Sequence, residues 1–121
     1  MATAHETPGI LRCWVRYGAS STIVRVRGEV DLSSSELLRR CITRALTRSP
    51  GVIVDMVNVT HLDGTGIRVL EEMSARAVAV SRPFWIVPSR QVLRLLTTLR
   101  ITELPTADSL EEAIERLTPP D

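Results

Sequence analysis

Residues 52–57 read Val-Ile-Val-Asp-Met-Val, and no other stretch restricts the fold as strongly. A strand with one face in water alternates apolar and polar side chains, whereas one that is apolar at nearly every position needs cover on both faces. The run therefore predicts a central strand of a sheet with helices packed on it. Its flanks supply the partners. Leu11, Cys13, Val15 and Tyr17 alternate with Arg12, Trp14 and Arg16; after a Gly18-Ala19-Ser20 turn, Thr22, Val24 and Val26 alternate with Ile23, Arg25 and Arg27. That period of two predicts a β-hairpin with one apolar face. Ser33 and Glu36 have the spacing of a capping box, and Leu37, Leu38, Cys41, Ile42, Ala45 and Leu46 follow at helical intervals until Pro50 and Gly51 stop them.

Beyond the central run, residues 60–66 read as a loop. Ile67, Leu70, Met73, Ser74 and Ala77 then recur as the inner face of a second helix, with Glu72 and Arg76 an outer i,i+4 pair. Residues 84–87, bracketed by Pro83 and Pro88, predict another strand. Val92, Leu95, Leu96 and Leu99 predict a third helix. Leu110, Ala113, Ile114 and Leu117, behind a Ser109–Glu112 capping box, predict a fourth, and a short fifth strand is expected near Leu104. This order implies an α/β fold, a single domain over residues 10–118 with a mixed sheet of four to five strands and about four helices. Residues 1–9 and 119–121 carry no element signal and are expected to be loose. A chain of 121 residues buries enough apolar surface to fold without disulfide, metal or lipid.

Composition removes several function classes. The 15 basic residues are all Arg. Without lysine there is no P-loop phosphate anchor, no Schiff base and no pyridoxal-phosphate attachment. Cys13 and Cys41 lack a C-x-x-C neighbour and His5 and His61 stand apart, so no metal or other cofactor is signalled and both thiols are expected reduced and packed. No stretch has the apolar length of a membrane span or a signal peptide, so a cytosolic protein with no membrane insertion is expected. A net charge of +1 offers no general attraction to nucleic acid. Arg12, Trp14, Arg16, Arg25 and Arg27 do share one sheet face, but a single Trp is a thin stacking surface and Arg lying over Trp is ordinary cation–π packing. Arg40, Arg44 and Arg48 read as a solvated ladder on the first helix. Asp55, with no second acid, His or Lys nearby in sequence, reads as hydrogen-bonded structure rather than an acid–base catalyst.

The site candidate is His61-Leu62-Asp63-Gly64-Thr65-Gly66, because open α/β sheets gather ligands at the carboxyl ends of their strands. Glycines on both sides of Thr65 allow a tight turn and close approach of another backbone. The following helix directs unpaired N–H groups at the Thr65 hydroxyl, where a phosphate would be received. The same residues serve equally if Thr65 only caps that helix. As an enzyme's nucleophile Thr65 would need a base, and none is visible beside it.

Two segments together carry a resemblance. Gly28-Glu29-Val30-Asp31-Leu32-Ser33 opening a helix, and an apolar strand leading through Val59-Thr60-His61-Leu62-Asp63-Gly64-Thr65-Gly66 into another, resemble the STAS family, in particular its stand-alone anti-sigma factor antagonists. The likeness runs from about Leu11 to Leu117 and includes the closing Ser109-Leu110-Glu111-Glu112-Ala113 helix. In that family the loop usually reads Asp-Ser-Ser-Gly or Asp-Ser-Thr-Gly, and the hydroxyl before the last Gly is phosphorylated by a partner kinase that is also the anti-sigma factor. The resemblance implies Thr65 as phosphoacceptor, Asp63 as the matching acid and Gly66 as the helix-opening glycine. Gly64 departs from the pattern and removes a second hydroxyl. A non-enzymatic bacterial partner switch is implied, which frees a sigma factor while unmodified and is reset by a PP2C-type phosphatase. Asp31, Ser33, Arg68, Val69 and Glu72 flank the loop as docking residues, although a helix cap and a solvated helix face explain them equally well. The other reading is an accessory subunit of a membrane transporter that docks on its ATPase without phosphorylation.

Overall fold

A computed structural model describes residues 10–117; the expected loose ends at 1–9 and 119–121 lie outside them. The chain runs β1 (Arg12–Tyr17), β2 (Thr22–Val30), α1 (Ser35–Arg48), β3 (Val52–Leu62), α2 (Gly64–Ala79), β4 (Phe84–Pro88), α3 (Arg90–Thr98) and α4 (Leu110–Leu117). The strands form one sheet in the order β1-β2-β3-β4. β1 and β2 pair antiparallel as the expected hairpin, and β2–β3 and β3–β4 pair parallel through the α1 and α2 crossovers.

The run at 52–57 is covered on both faces. Val52, Val54 and Met56 join Val24 and Val26 of β2 under Leu38, Ile42, Leu70 and Met73 of α1 and α2, with Val92 and Leu96 of α3 completing that core. Ile53 turns to the other face and meets Val87 of β4 and Ala113 of α4. Asp55, also on that second face, is tied into the structure: its carboxylate lies 3.4 Å from Arg25 Nε and accepts the Val57 N–H at 3.2 Å, where a β-bulge shifts the β2–β3 register. Cys13 and Cys41 are free and meet between β1 and α1. Burial first, then the neighbouring Cys41 thiol, pushes the Cys13 thiol up to about 12.

Several local expectations fail for identifiable reasons. The Ser33–Glu36 capping box does not form, because the Ser33 N–H and hydroxyl both donate to the Asp31 carboxylate, at 3.0 and 2.6 Å. The helix starts two residues later behind Ser34, whose hydroxyl accepts from Asp31 N–H instead of capping. The Ser109 hydroxyl does accept from Glu112 N–H at 3.1 Å, opening α4 as expected. Glu72 pairs with Arg39 of α1 at 2.8 Å and not with Arg76, since α1 lies alongside α2 and offers a nearer cation. The fifth strand reduces to one parallel bridge between Ile86 and Thr106, where Pro105 can accept from Ile86 but has no N–H to continue a ladder. Tyr17, Leu99 and Ile114, expected inward, are largely solvated. Tyr17 and Leu99 lie at the ends of their elements, and Ile114 faces the half of the sheet that α4 does not cover. An Arg does stack on a Trp, but the pair is Arg116 over Trp85, 4.8 Å from the ring centroid, and not one at Trp14.

Candidate functional site

β3 runs on to Leu62 and α2 begins at Gly64, so the expected loop at 60–66 shrinks to Asp63 alone. The extension follows from pairing: Glu29 and Val30 of β2 still have partners in His61 and Leu62. Asp63 is the N-cap of α2. Its Oδ1 accepts the N–H groups of Thr65 at 2.9 Å and Gly66 at 3.2 Å, and the Thr65 hydroxyl donates to the same oxygen. Asp63 N–H donates to Val30 O at 3.1 Å, which fastens the cap to the end of β2. The hydrogen bond from Thr65, assisted by those backbone donors, holds the Asp63 carboxyl below the usual carboxylate range; desolvation and the nearby Asp31 charge oppose this.

Asp31 repeats the device one strand away. Besides Ser33 it receives the Ser34 hydroxyl at 3.2 Å, and its carboxyl is likewise held low, first by the Ser33 hydroxyl. The structure therefore brings Asp31, Ser33, Asp63 and Thr65 to one end of the sheet. Between Asp31 and Ser33, Leu32 is 78% exposed, a large apolar side chain standing in water beside the loop. Sequence reasoning missed it. The available signal was an apolar residue that fits neither the period of the strand before it nor that of the helix after it.

The remaining expected docking residues divide. Arg68 and Glu72 are on the solvated side of α2. Val69 is not: at 1% exposure it is part of the core, because the α2 stripe facing the sheet includes Ile67, Val69, Leu70 and Met73 and is wider than the spacing of Ile67 and Leu70 suggests. The two loop glycines also differ. A Cβ on Gly66 would lie 2.3 Å from Leu62 Cδ1 and 2.8 Å from Val30 Cγ1, so the first turn of α2 sits directly on the ends of β2 and β3. A Cβ on Gly64 meets nothing within 4 Å.

Two chemical consequences correct the sequence reading. Of the helix N–H groups expected to receive a phosphate at Thr65, those of Thr65 and Gly66 are already taken by Asp63. The base that seemed absent beside Thr65 is the same carboxylate, and its lowered pKa makes it a poor proton acceptor. What the geometry does well is present a half-buried hydroxyl in one fixed orientation. Among the described residues no three His, Cys, Asp or Glu side chains gather as a metal site, and no helix is long and apolar enough to cross a membrane.

The fold recurs in solved structures. An anti-sigma factor antagonist from Mycobacterium paratuberculosis superposes with a TM-score of 0.81 at 18% identity, covering 92% of this chain and 97% of that one. The anti-sigma factor antagonist SpoIIAA in its unphosphorylated form gives 0.70 at 20% identity, over 88% and 96%. The Bacillus cell fate determinant SpoIIAA in the phosphorylated form gives 0.66 at 19% identity, over 88% and 100%. No curated protein matches by sequence. The STAS domain profile matches residues 4–113, nearly the whole chain. With its mixed sheet, its α1 and α2 crossovers and the Asp63–Gly66 turn between β3 and α2, the chain belongs to the STAS domain family.

Proposed function

We propose that this protein is an anti-sigma factor antagonist of the cytosol, which binds a kinase-type anti-sigma factor, frees a sigma factor for transcription and is switched off by phosphorylation at Thr65. The observation that carries the reading is the Thr65 hydroxyl held by Asp63 at the start of α2, next to the exposed Leu32. Similar structures named as anti-sigma factor antagonists, one of them also solved phosphorylated, support the role. The electrostatics support the direction of the switch. A phosphate adds about −1.5 to −2 charges. At Thr65 it would stand against Asp63 and near Asp31, at a helix terminus whose Thr65 and Gly66 N–H groups are committed to Asp63, so its oxygens turn outward into the partner's footprint. Unmodified protein binds; phosphorylated protein is rejected without refolding. A PP2C-type phosphatase would restore it.

The test is a pull-down from the source cytosol with wild-type, Thr65→Ala, Thr65→Glu and Leu32→Ala baits, with mass spectrometry of the partners and of the Thr65 peptide. Expected is an anti-sigma kinase retained by wild type and Thr65→Ala, lost with Thr65→Glu and weakened with Leu32→Ala, with phosphate on Thr65. Transporter subunits retained equally by all four baits would overturn the reading.

A further inference from the structure

The helical layer formed by α1 and α2 carries a groove on its solvent side. Arg40, Arg44 and Arg48 of α1 line one wall and Arg76 of α2 the other, with Thr43 and Thr47 as the floor. Arg76 is held across the seam by donating to the Thr43 hydroxyl at 3.4 Å, and the Thr47 hydroxyl turns back to Arg44 O at 2.9 Å. The floor hydroxyls therefore have partners, and what remains unanswered is charge. Glu36 is the one acid in the lining, and it is engaged by Arg39, which also holds Glu72 of α2 at 2.8 Å. Arg40, Arg44, Arg48 and Arg76 are all exposed, and among the described residues no ion pair engages any of them. Like charges four apart on one helix work against it. The outer face of α4 offsets its own cation internally, with Glu112 and Arg116 paired at 3.2 Å, whereas α1 places arginine at three successive steps with no acid between them.

We propose that this groove docks an acidic helix of a partner protein, whose Asp or Glu side chains recur every four residues against Arg40, Arg44 and Arg48 while Arg76 closes on its other side. The spacing carries the match: each step of the ladder advances about 6 Å along α1, the same advance that separates carboxylates four apart on a second helix. Arginine suits the task because its guanidinium receives a carboxylate in two-pronged fashion. Glu36 and Glu72 stand at the end nearest the start of α1, where they repel a further carboxylate and so set the register. The lining also argues against other anionic partners. It has no aromatic ring to stack on a base and no apolar side chain to enter a lipid surface, and a net charge of +1 exerts no general pull on a polyanion. Arg76 lies about three turns along α2 from Thr65, so the groove is a surface additional to the one at the end of the sheet.

The test is isothermal titration calorimetry at low ionic strength, where exposed charges are least screened. The probes are a blocked helical peptide of repeated Glu-Ala-Ala-Ala units, a peptide of the same composition with its glutamates gathered at one end, the Lys-Ala-Ala-Ala counterpart, oligothymidylate, and vesicles containing phosphatidylserine. Expected is saturable binding of the spaced-glutamate peptide, about tenfold or more tighter than that of the gathered one. The double variant Arg44→Gln, Arg76→Gln should weaken it about tenfold or more, whereas Arg90→Gln, Arg94→Gln, which removes the same charge from α3, should leave it unchanged. The triple variant Arg40→Glu, Arg44→Glu, Arg48→Glu should exchange the glutamate peptide for the lysine one, which shows that the variant is folded and that the ladder itself is read. Absence of saturable binding would overturn the proposal, as would equal affinity for the spaced and gathered peptides or an equal effect of the two double variants. Tighter binding of oligothymidylate or of the vesicles would overturn it in favour of a nucleic acid or a membrane surface. None of these readouts involves Thr65, so the groove and the switch are tested separately.

Discussion

Replacing each loop glycine by alanine should move stability in opposite directions, although only Thr65 separates them. At Gly66 the new methyl would lie 2.3 Å from Leu62 Cδ1 and 2.8 Å from Val30 Cγ1, where carbon atoms settle at about 3.5–4.0 Å. Leu62 and Val30 are buried, so relief of more than an ångström must come from a changed rotamer or a lift of the first turn of α2. Overpacking of this kind costs about 1–3 kcal/mol, and the better helix propensity of alanine returns about 1. The net loss is therefore about 0–2 kcal/mol. At Gly64 nothing lies within 4 Å, and the substitution restricts the unfolded chain for a gain of about 0.4–1 kcal/mol. Urea unfolding followed by far-ultraviolet circular dichroism separates the two. With a slope of about 2 kcal/mol per molar urea, the midpoints of Gly64→Ala and Gly66→Ala should differ by about 0.2–1.5 M, with wild type below Gly64→Ala. A Gly66→Ala midpoint at or above that of Gly64→Ala would refute the close packing of α2 on the strand ends.

Acid should reveal the Asp63 cap. Its carboxyl titrates lower folded than unfolded, so the stabilisation is complete above the unfolded value of about 4 and fades as pH falls through the folded one. Wild type should lose more stability than Asp63→Asn on going from about pH 6 to about pH 3, and equal losses would remove the cap from the argument. The Thr22 hydroxyl is buried without a hydrogen-bond partner among the described residues, so Thr22→Val should raise stability by about 1 kcal/mol, seen as a higher urea midpoint; a lower one would mean that a partner exists. Burial is the first cause of the high Cys13 pKa, so in Cys41→Ser the Cys13 thiol should still resist iodoacetamide at neutral pH while the urea-unfolded chain labels fully, and similar rates would contradict it.

The elements with strong periodicity were legible from residues alone. The apolar run of β3, the alternating hairpin and the inner stripes of α1 and α2 each encode which faces are dry, and burial follows that code. Failures cluster where a polar side chain chose among several local partners. Ser33 had Asp31 two residues before it as well as Glu36 three residues after it, and the nearer carboxylate won. Glu72 had Arg76 on its own helix and Arg39 on the next, a choice settled only by how α1 and α2 lie together. Val69 fails for another reason: whether an α2 stripe is two or three residues wide depends on the breadth of the surface beneath it. At the site, Asp63 and Thr65 were legible as a pair, but their division of labour was not. Spacing allows Thr65 to cap the helix, whereas in the fold the carboxylate occupies the Thr65 and Gly66 donors and the hydroxyl is bound to it.

That division of labour bears on how a rigid domain can act as a switch. Gly66 seats the first turn of α2 against Leu62 and Val30, and Asp63 joins the same turn to β2 through Val30 O, so the backbone around Thr65 is fixed on both sides by the core. A group added to the Thr65 oxygen cannot be absorbed by moving that backbone, and the Thr65 and Gly66 N–H groups cannot turn to receive it while Asp63 holds them. It must also displace the hydrogen that Thr65 shares with Asp63, leaving two anions where one donor and one acceptor stood. The added charge is therefore expressed almost wholly at the surface, between Leu32 and the solvated side of α2. The switch proposed for Thr65 would therefore need no second conformation: the domain would stay as folded, and what would change is whether the charge at one end of its sheet can be brought against a partner.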